Sequence, residues 1–168
     1  MKVAIIGYSG SGKSTTAGML GQKYNVPVMY LDSVQFMENW QERPVEQSKQ
    51  IVADFMAAYD GWVIDGNYKA LLQQQQLEQA DMIVFFNFNR FACFYRAFGR
   101  YLRYKGNTRP SMAEGCNEKF DFEFAKWILW EGRTPQRKKA YADMCKKYRD
   151  KVVIIRNQKH LDNFLKKF

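Results

Sequence analysis

The chain has 168 residues, 46% of them apolar and 16% aromatic, with a formal charge of +9 from 26 basic and 17 acidic side chains. Such a chain can bury roughly two-thirds of its unfolded surface in one globular domain, which excludes a disordered polyelectrolyte. The charge is uneven: residues 1–89 hold 6 basic and 9 acidic side chains and residues 90–168 hold 20 and 8, so the halves carry −3 and +12 and imply a polyanionic partner, either a phosphate ligand or a nucleic acid.

Five short apolar runs, at 3–6, 28–31, 62–64, 82–86 and 152–155, are rich in β-branched or aromatic residues and do not alternate in polarity. Runs of this kind are strands buried on both faces, the pattern of a parallel sheet covered by helices. A three-layer α/β domain of five strands is therefore predicted over residues 1–168. Helical spacing covers 13–24, 45–59, 69–78, 91–104, 118–131, 136–149 and 158–168, and 106–115 reads as a loop between two glycines, Gly106 and Gly115. The glutamines at 73–76 read as an exposed helix face. The longest apolar run, 82–86, is too short to cross a bilayer, and the start of the chain lacks a signal-peptide core. Cys93, Cys116 and Cys145 are widely spaced and fit reduced thiols. A cytoplasmic protein without a membrane partner is expected.

The first strand runs into Gly7-Tyr8-Ser9-Gly10-Ser11-Gly12-Lys13-Ser14-Thr15, a complete GxxxxGK[ST] motif that opens a helix. Glycines let backbone N–H groups curl around phosphate oxygens, and the helix N-terminus adds its partial positive charge there. Residues 7 and 9–15 are thus expected to hold ATP, with Lys13 on the β- and γ-phosphates and the Ser14 hydroxyl on Mg²⁺.

Ligands of open α/β sheets collect at the carboxyl ends of the strands, where Asp32 and Asp65 follow the second and third apolar runs. Asp65 is placed as a Walker-B aspartate would be, to hold water on the metal, and Asp32 to contact the phosphoryl acceptor. The alternative for both is a helix-cap or turn role, since Asp is common there. After the fourth strand, Arg96, Arg100 and Arg103 fall within an arc of about 60° on a helix, with Phe91, Phe94, Phe98 and Leu102 nearly opposite. That predicts an apolar face anchored in the core and a row of guanidinium groups for phosphate oxygens. The basic loop that follows reads as a lid, and Arg96, Arg100 and Arg109 are the candidates to neutralise a phosphoryl group in transfer, with Arg90 and Arg103 behind them.

Weaker signals complete the chain. Arg43 lies where small-molecule kinases close over an acceptor, and Arg156 follows the last strand, where an adenine ring would lie. Phe120, Phe124, Trp127, Ile128 and Trp130 form a stripe expected in the core. Arg137, Lys138, Lys139, Lys146 and Lys147 are the candidates for nucleic-acid contact, and His160 is expected at the surface.

These residues together resemble the P-loop kinases related to adenylate kinase, and more specifically the bacterial proteins known as DNA topology modulation proteins. The likeness rests on residues 7–14, Leu31-Asp32, Trp62-Val63-Ile64-Asp65-Gly66-Asn67-Tyr68, Thr108-Arg109-Pro110-Ser111-Met112-Ala113-Glu114-Gly115-Cys116, Glu118-Lys119 and Phe124-Ala125-Lys126-Trp127-Ile128. Phe36 departs from it, standing where the family has a tryptophan, and Glu38-Asn39 replaces a proline-containing step. The resemblance implies a sheet in the order 2-3-1-4-5, ATP and Mg²⁺, and a lid after the fourth strand, about residues 96–116. It implies an ATP-dependent kinase acting on a nucleotide or other small-molecule acceptor, whose binding side would include Asp32, Arg43, Asp65, Asn67 and Tyr68. The second reading is an ATP-regulated nucleic-acid-binding protein affecting DNA topology.

Overall fold

Val3, Ala4, Ile5 and Ile6 offer no polar side chain to water, and in the computed structural model, which describes residues 1–167, they run down the middle of the sheet. Their strand, β1 (Lys2–Gly7), is followed by α1 (Lys13–Tyr24), β2 (Val28–Tyr30), α2 (Leu31–Gln35), a 3-10 turn (Glu38–Trp40), α3 (Val45–Ala58) and β3 (Trp62–Asp65). Then come α4 (Gln73–Gln79), β4 (Met82–Phe86), α5 (Arg90–Tyr104), α6 (Phe122–Leu129), a 3-10 turn (Glu131–Arg133), α7 (Pro135–Lys147), β5 (Val152–Ile155) and α8 (Gln158–Leu165). The strands are all parallel in the order β2-β3-β1-β4-β5, the predicted three-layer α/β fold. Residue 168, the end of the predicted last helix, lies outside the described residues. No helix among the described residues is long and apolar enough to cross a membrane.

The core is the sheet itself. Val3, Ile5, Trp62, Ile64, Ile83 and Phe86 are fully buried, each worth about 1.5–3 kcal/mol of transfer free energy. Register sets the functional edge: Asp65 lies opposite both Ile5 and Tyr30, and Gly7 opposite Phe86, so β1, β2, β3 and β4 end side by side. Asn89, Asp121, Thr134 and Asn157 accept backbone N–H bonds at the starts of α5, α6, α7 and α8. The sequence carries a cap signal at each of these starts.

Several expectations are corrected. Leu31 leaves the second strand to begin α2, a turn the apolar run masks. Leu72 has a left-handed backbone (φ 57°), so α4 begins at Gln73 rather than 69. Gln76 is buried and donates to the Leu71 carbonyl, so the glutamine run is not wholly an exposed face. The predicted helix over 118–131 starts only at Phe122, because residues 105–118 close into their own loop through contacts of Lys105 with Glu118 and Thr108 with Asn117. Trp130 is 60% exposed rather than in the core, whereas Ile128 is buried.

The packing of α5 differs most. Phe91, Phe98 and Leu102 are 65%, 41% and 59% exposed, so the predicted anchoring face points outward. The buried residues are Cys93 and Ala97, and Phe94 packs on Phe120 with ring centroids 5.2 Å apart. The reason is steric: a Cβ on Gly10 would stand 2.4 Å from the Cys93 carbonyl oxygen and 3.1 Å from Ala97 Cβ, an approach only small residues allow.

Candidate functional site

The phosphate loop leaves β1 at Gly7, whose φ of 135° and closeness to β4 leave no room for a side chain: a Cβ would sit 2.3 Å from the Phe86 carbonyl oxygen. The loop closes on its own backbone. Both the Ser11 hydroxyl (2.7 Å) and Lys13 Nζ (2.9 Å) donate to the Tyr8 carbonyl oxygen. Gly12 precedes α1 in a left-handed conformation (φ 100°) with no side-chain cap, so the first N–H groups of α1 have no side-chain partner. With the helix dipole, these groups form an anion-binding end of the kind that receives phosphate.

Beside this loop, Asp65 at the end of β3 is 5% exposed, and its Oδ1 has no hydrogen-bond partner. Burial raises its carboxyl pKa to about 6, while Lys13 and a hydrogen bond from Ser14 pull the other way. The reverse holds at Lys13, whose pKa is lowered by desolvation and supported by Asp65 and Asp32. An orphaned carboxylate oxygen next to a serine hydroxyl is a donor set that fits a hydrated Mg²⁺. Ser14 and Asp65 would hold it.

Across the cleft, α5 presents its arginines. Arg96 donates from Nη1 to the Ser11 carbonyl oxygen at 3.3 Å and from Nη2 to Gln158 Oε1, and its guanidinium lies over the Phe88 ring. Arg100 donates from Nε to Glu118 Oε1 at 2.7 Å, with Nη2 at 2.6 Å from the same oxygen. Its pKa is lowered by burial and by the charge of Arg109, and Glu118 opposes both. Arg109 reaches back from the loop after α5: Nη2 donates to Asp32 Oδ2 at 3.2 Å, and Nε is 3.3 Å from Glu118 Oε2. Tyr68 donates to Asp32 Oδ1 at 2.7 Å, and burial and that carboxylate push its phenol pKa strongly up.

Residues 7, 9, 10, 12–15, 32, 65, 67, 68, 96, 100, 103 and 109 all line one cleft of about 1320 Å³. Ser11 is fully buried beneath the loop. Arg43 and Arg156 do not line the cleft. Arg43 instead braces α2, its Nε and backbone N–H donating to the carbonyls of Val34 and Gln35, each at 2.8 Å. Arg156 is exposed just beyond β5. The loop after α5 is fastened across the cleft: Cys116 Sγ donates to the Met37 carbonyl oxygen at 3.0 Å, and Trp40 Nε1 to that of Asn117 at 3.1 Å.

Two buried charged residues have no role assigned from the sequence, although Glu118 belongs to the family resemblance. Glu118, its side chain 3% exposed, joins Arg100 to Arg109; with Glu114, Asp121 and Glu123 close by in the chain, nothing local sets it apart. Arg133 is 8% exposed, with its guanidinium 3.7 Å from the centre of the Tyr8 ring, and donates to the carbonyls of Ile128 and Phe88. Nothing local in Glu131-Gly132-Arg133 signals that burial.

No protein-family model and no curated protein matches the chain. Among solved structures, shikimate kinase from Bacteroides thetaiotaomicron is similar, with a TM-score of 0.55 and 20% sequence identity over 99% of this chain and 95% of that one. The likeness shows a shared fold, the three-layer α/β architecture with its parallel sheet in the order β2-β3-β1-β4-β5.

Proposed function

We propose that the chain is an ATP-dependent P-loop phosphotransferase acting on a nucleotide or other small-molecule acceptor, a single domain over residues 1–168 with a lid of about residues 96–116. The observation that carries this reading is the meeting, in one cleft, of the uncapped start of α1, Lys13, Ser14, the orphaned oxygen of Asp65 and the arginines of α5. A simple ATP switch has no need of the arginines.

On this reading the backbone of residues 7–15 cradles the nucleotide phosphates. Lys13 exchanges its internal bond to the Tyr8 carbonyl for phosphate oxygens, and Arg96 and Arg100 offset the charge spread over the transferring group. The acceptor hydroxyl oxygen attacks the γ-phosphorus, the bond from that phosphorus to the β–γ bridging oxygen breaks, and ADP leaves. Asp32 aligns the hydroxyl and takes its proton. Ser14 and Asp65 would hold a Mg²⁺, which would supply charge neutralisation for the phosphates. The loop clasped over Met37 and Trp40 keeps water from the γ-phosphorus.

The test is calorimetric titration with a non-hydrolysable ATP analogue, followed by an ADP-release assay across nucleosides, nucleotides and hydroxy acids. Wild type binds the analogue and Lys13→Ala loses at least about a hundredfold in affinity, since that lysine is the loop's only side-chain cation. Equal binding by both overturns the reading.

The finer resemblance, to DNA topology modulation proteins, supports a second reading in which the exposed basic side chains of α7, Lys138, Lys139, Lys146 and Lys147, meet a nucleic-acid backbone. Duplex binding that falls steeply with salt would favour it.

A further inference from the structure

The nucleotide side of the cleft is open to a ligand, but the acceptor side is already satisfied by the protein's own charges. Both oxygens of Asp32 are engaged, Oδ1 by the Tyr68 hydroxyl at 2.7 Å and Oδ2 by Arg109 Nη2 at 3.2 Å. An acceptor hydroxyl approaching Asp32 meets a carboxylate whose charge is shared with a guanidinium.

The contacts around Arg109 are unequal. Glu118 is gripped by Arg100 at 2.6 and 2.7 Å, and its side chain is 3% exposed, so it is a fixed post. Arg109 Nε lies 3.3 Å from Glu118 Oε2 outside hydrogen-bonding geometry, and this buried N–H has no partner. The other contact, to Asp32, is the longer of that residue's two, and the Asp32 side chain is 39% exposed. The arginine is therefore tethered by charge to a buried glutamate and loosely bonded to an accessible aspartate, with a donor to spare. The loop that carries it is held elsewhere, by Cys116 on Met37 and Trp40 on Asn117. A change of partner needs only the side chain to move.

From this we infer that Asp32 occupies Arg109 as an internal stand-in for an anionic group of the acceptor, so that acceptor binding and the release of Asp32 are one event. The inference rests on the phosphotransferase reading and narrows it. The acceptor is an alcohol bearing a carboxylate or a phosphate; its anion takes Arg109 in a two-donor contact through Nη2 and the idle Nε, and Asp32 Oδ2 becomes free for the hydroxyl. A neutral alcohol leaves Arg109 on Asp32 and is a poor acceptor, which gives the cleft selectivity through a charge exchange rather than through shape.

The test uses inorganic phosphate and malonate as probes of the two anion chemistries, titrated with a non-hydrolysable ATP analogue saturating the phosphate loop. Asp32→Asn removes the internal competitor and tightens anion binding about twofold to fivefold, the scale of one partly exposed ion pair. Tyr68→Phe strips Asp32 of its other donor, strengthens its hold on Arg109 and weakens anion binding severalfold. A purely structural role for these residues weakens both variants alike. Unchanged or weaker anion binding by Asp32→Asn overturns the inference, as does unchanged or tighter binding by Tyr68→Phe. Phosphate bound in preference to malonate points to a phosphorylated alcohol, and the reverse to a hydroxy acid. Failure of the wild type to bind the ATP analogue would instead strike the phosphotransferase reading beneath it.

Discussion

Replacing Asp65 with Asn should make the metal-free, nucleotide-free protein harder to unfold at neutral pH, although the side chain is buried and hydrogen-bonded by Ser14. Its carboxyl pKa is raised from 3.8 to about 6, the reverse of a salt-bridged aspartate. Below about pH 3 the group is protonated in both folded and unfolded chains and contributes nothing to the pH dependence. Between about pH 3 and 6 the unfolded chain releases a proton that the folded chain keeps, so stability falls as pH rises. The cost reaches about 3 kcal/mol at neutral pH and is about 1 kcal/mol near pH 4.5. Asparagine removes that ionisation but buries an amide N–H, at about 1–2 kcal/mol independent of pH. The net gain near pH 7.5 is then about 1–2 kcal/mol, a rise in Tm of roughly 2–8 °C for a chain of this size. The difference between the two pH values is about 2 kcal/mol in favour of the variant as pH rises. Denaturant titration of both proteins with chelator, near pH 4.5 and near pH 7.5, measures it. A stability difference that does not change with pH would refute the assignment of Asp65 as an unpaired buried acid.

Two further substitutions test how the site is held. Gly7→Ala combines a φ of 135° with a Cβ 2.3 Å from the Phe86 carbonyl oxygen, so it should cost at least about 3 kcal/mol and abolish nucleotide binding, read by thermal melts and calorimetry. Arg133→Met removes the cation over Tyr8 and leaves the Ile128 and Phe88 carbonyls without that donor, so about 2–6 kcal/mol should be lost, with Tm falling by roughly 4–24 °C.

The fold was legible because its signals are local. Five non-alternating apolar runs are enough to call a parallel sheet, and GxxxxGK[ST] fixes which strand comes first into the site. Asp32 and Asp65 could be placed because a strand end is a position along the chain. What escaped depends on contacts distant in sequence. The outward turn of Phe91, Phe98 and Leu102 follows from Gly10, some eighty residues earlier, demanding small neighbours at Cys93 and Ala97. Periodicity reports that a face is apolar and says nothing of which face another segment needs. Glu118 and Arg133 were missed for the same reason, since a buried charge is recognised by its partners. Arg43 was drawn toward the cleft by its place between β2 and α3, whereas two backbone carbonyls of α2 claim it.

The contact of Gly10 with Cys93 and Ala97 also divides the molecule mechanically. With no side chain between them, the phosphate loop and the arginine helix form one stiff body, and the distance from Lys13 to Arg96 is set during folding. In the proposed phosphotransfer cycle, motion would then fall to the part of the lid beyond α5, from Lys105 to Asn117, and to its fastening on Met37 and Trp40. Relaxation measurements on the microsecond to millisecond scale should find exchange concentrated there, with the amides of Gly10 and Cys93 quiet and changing together when nucleotide is added.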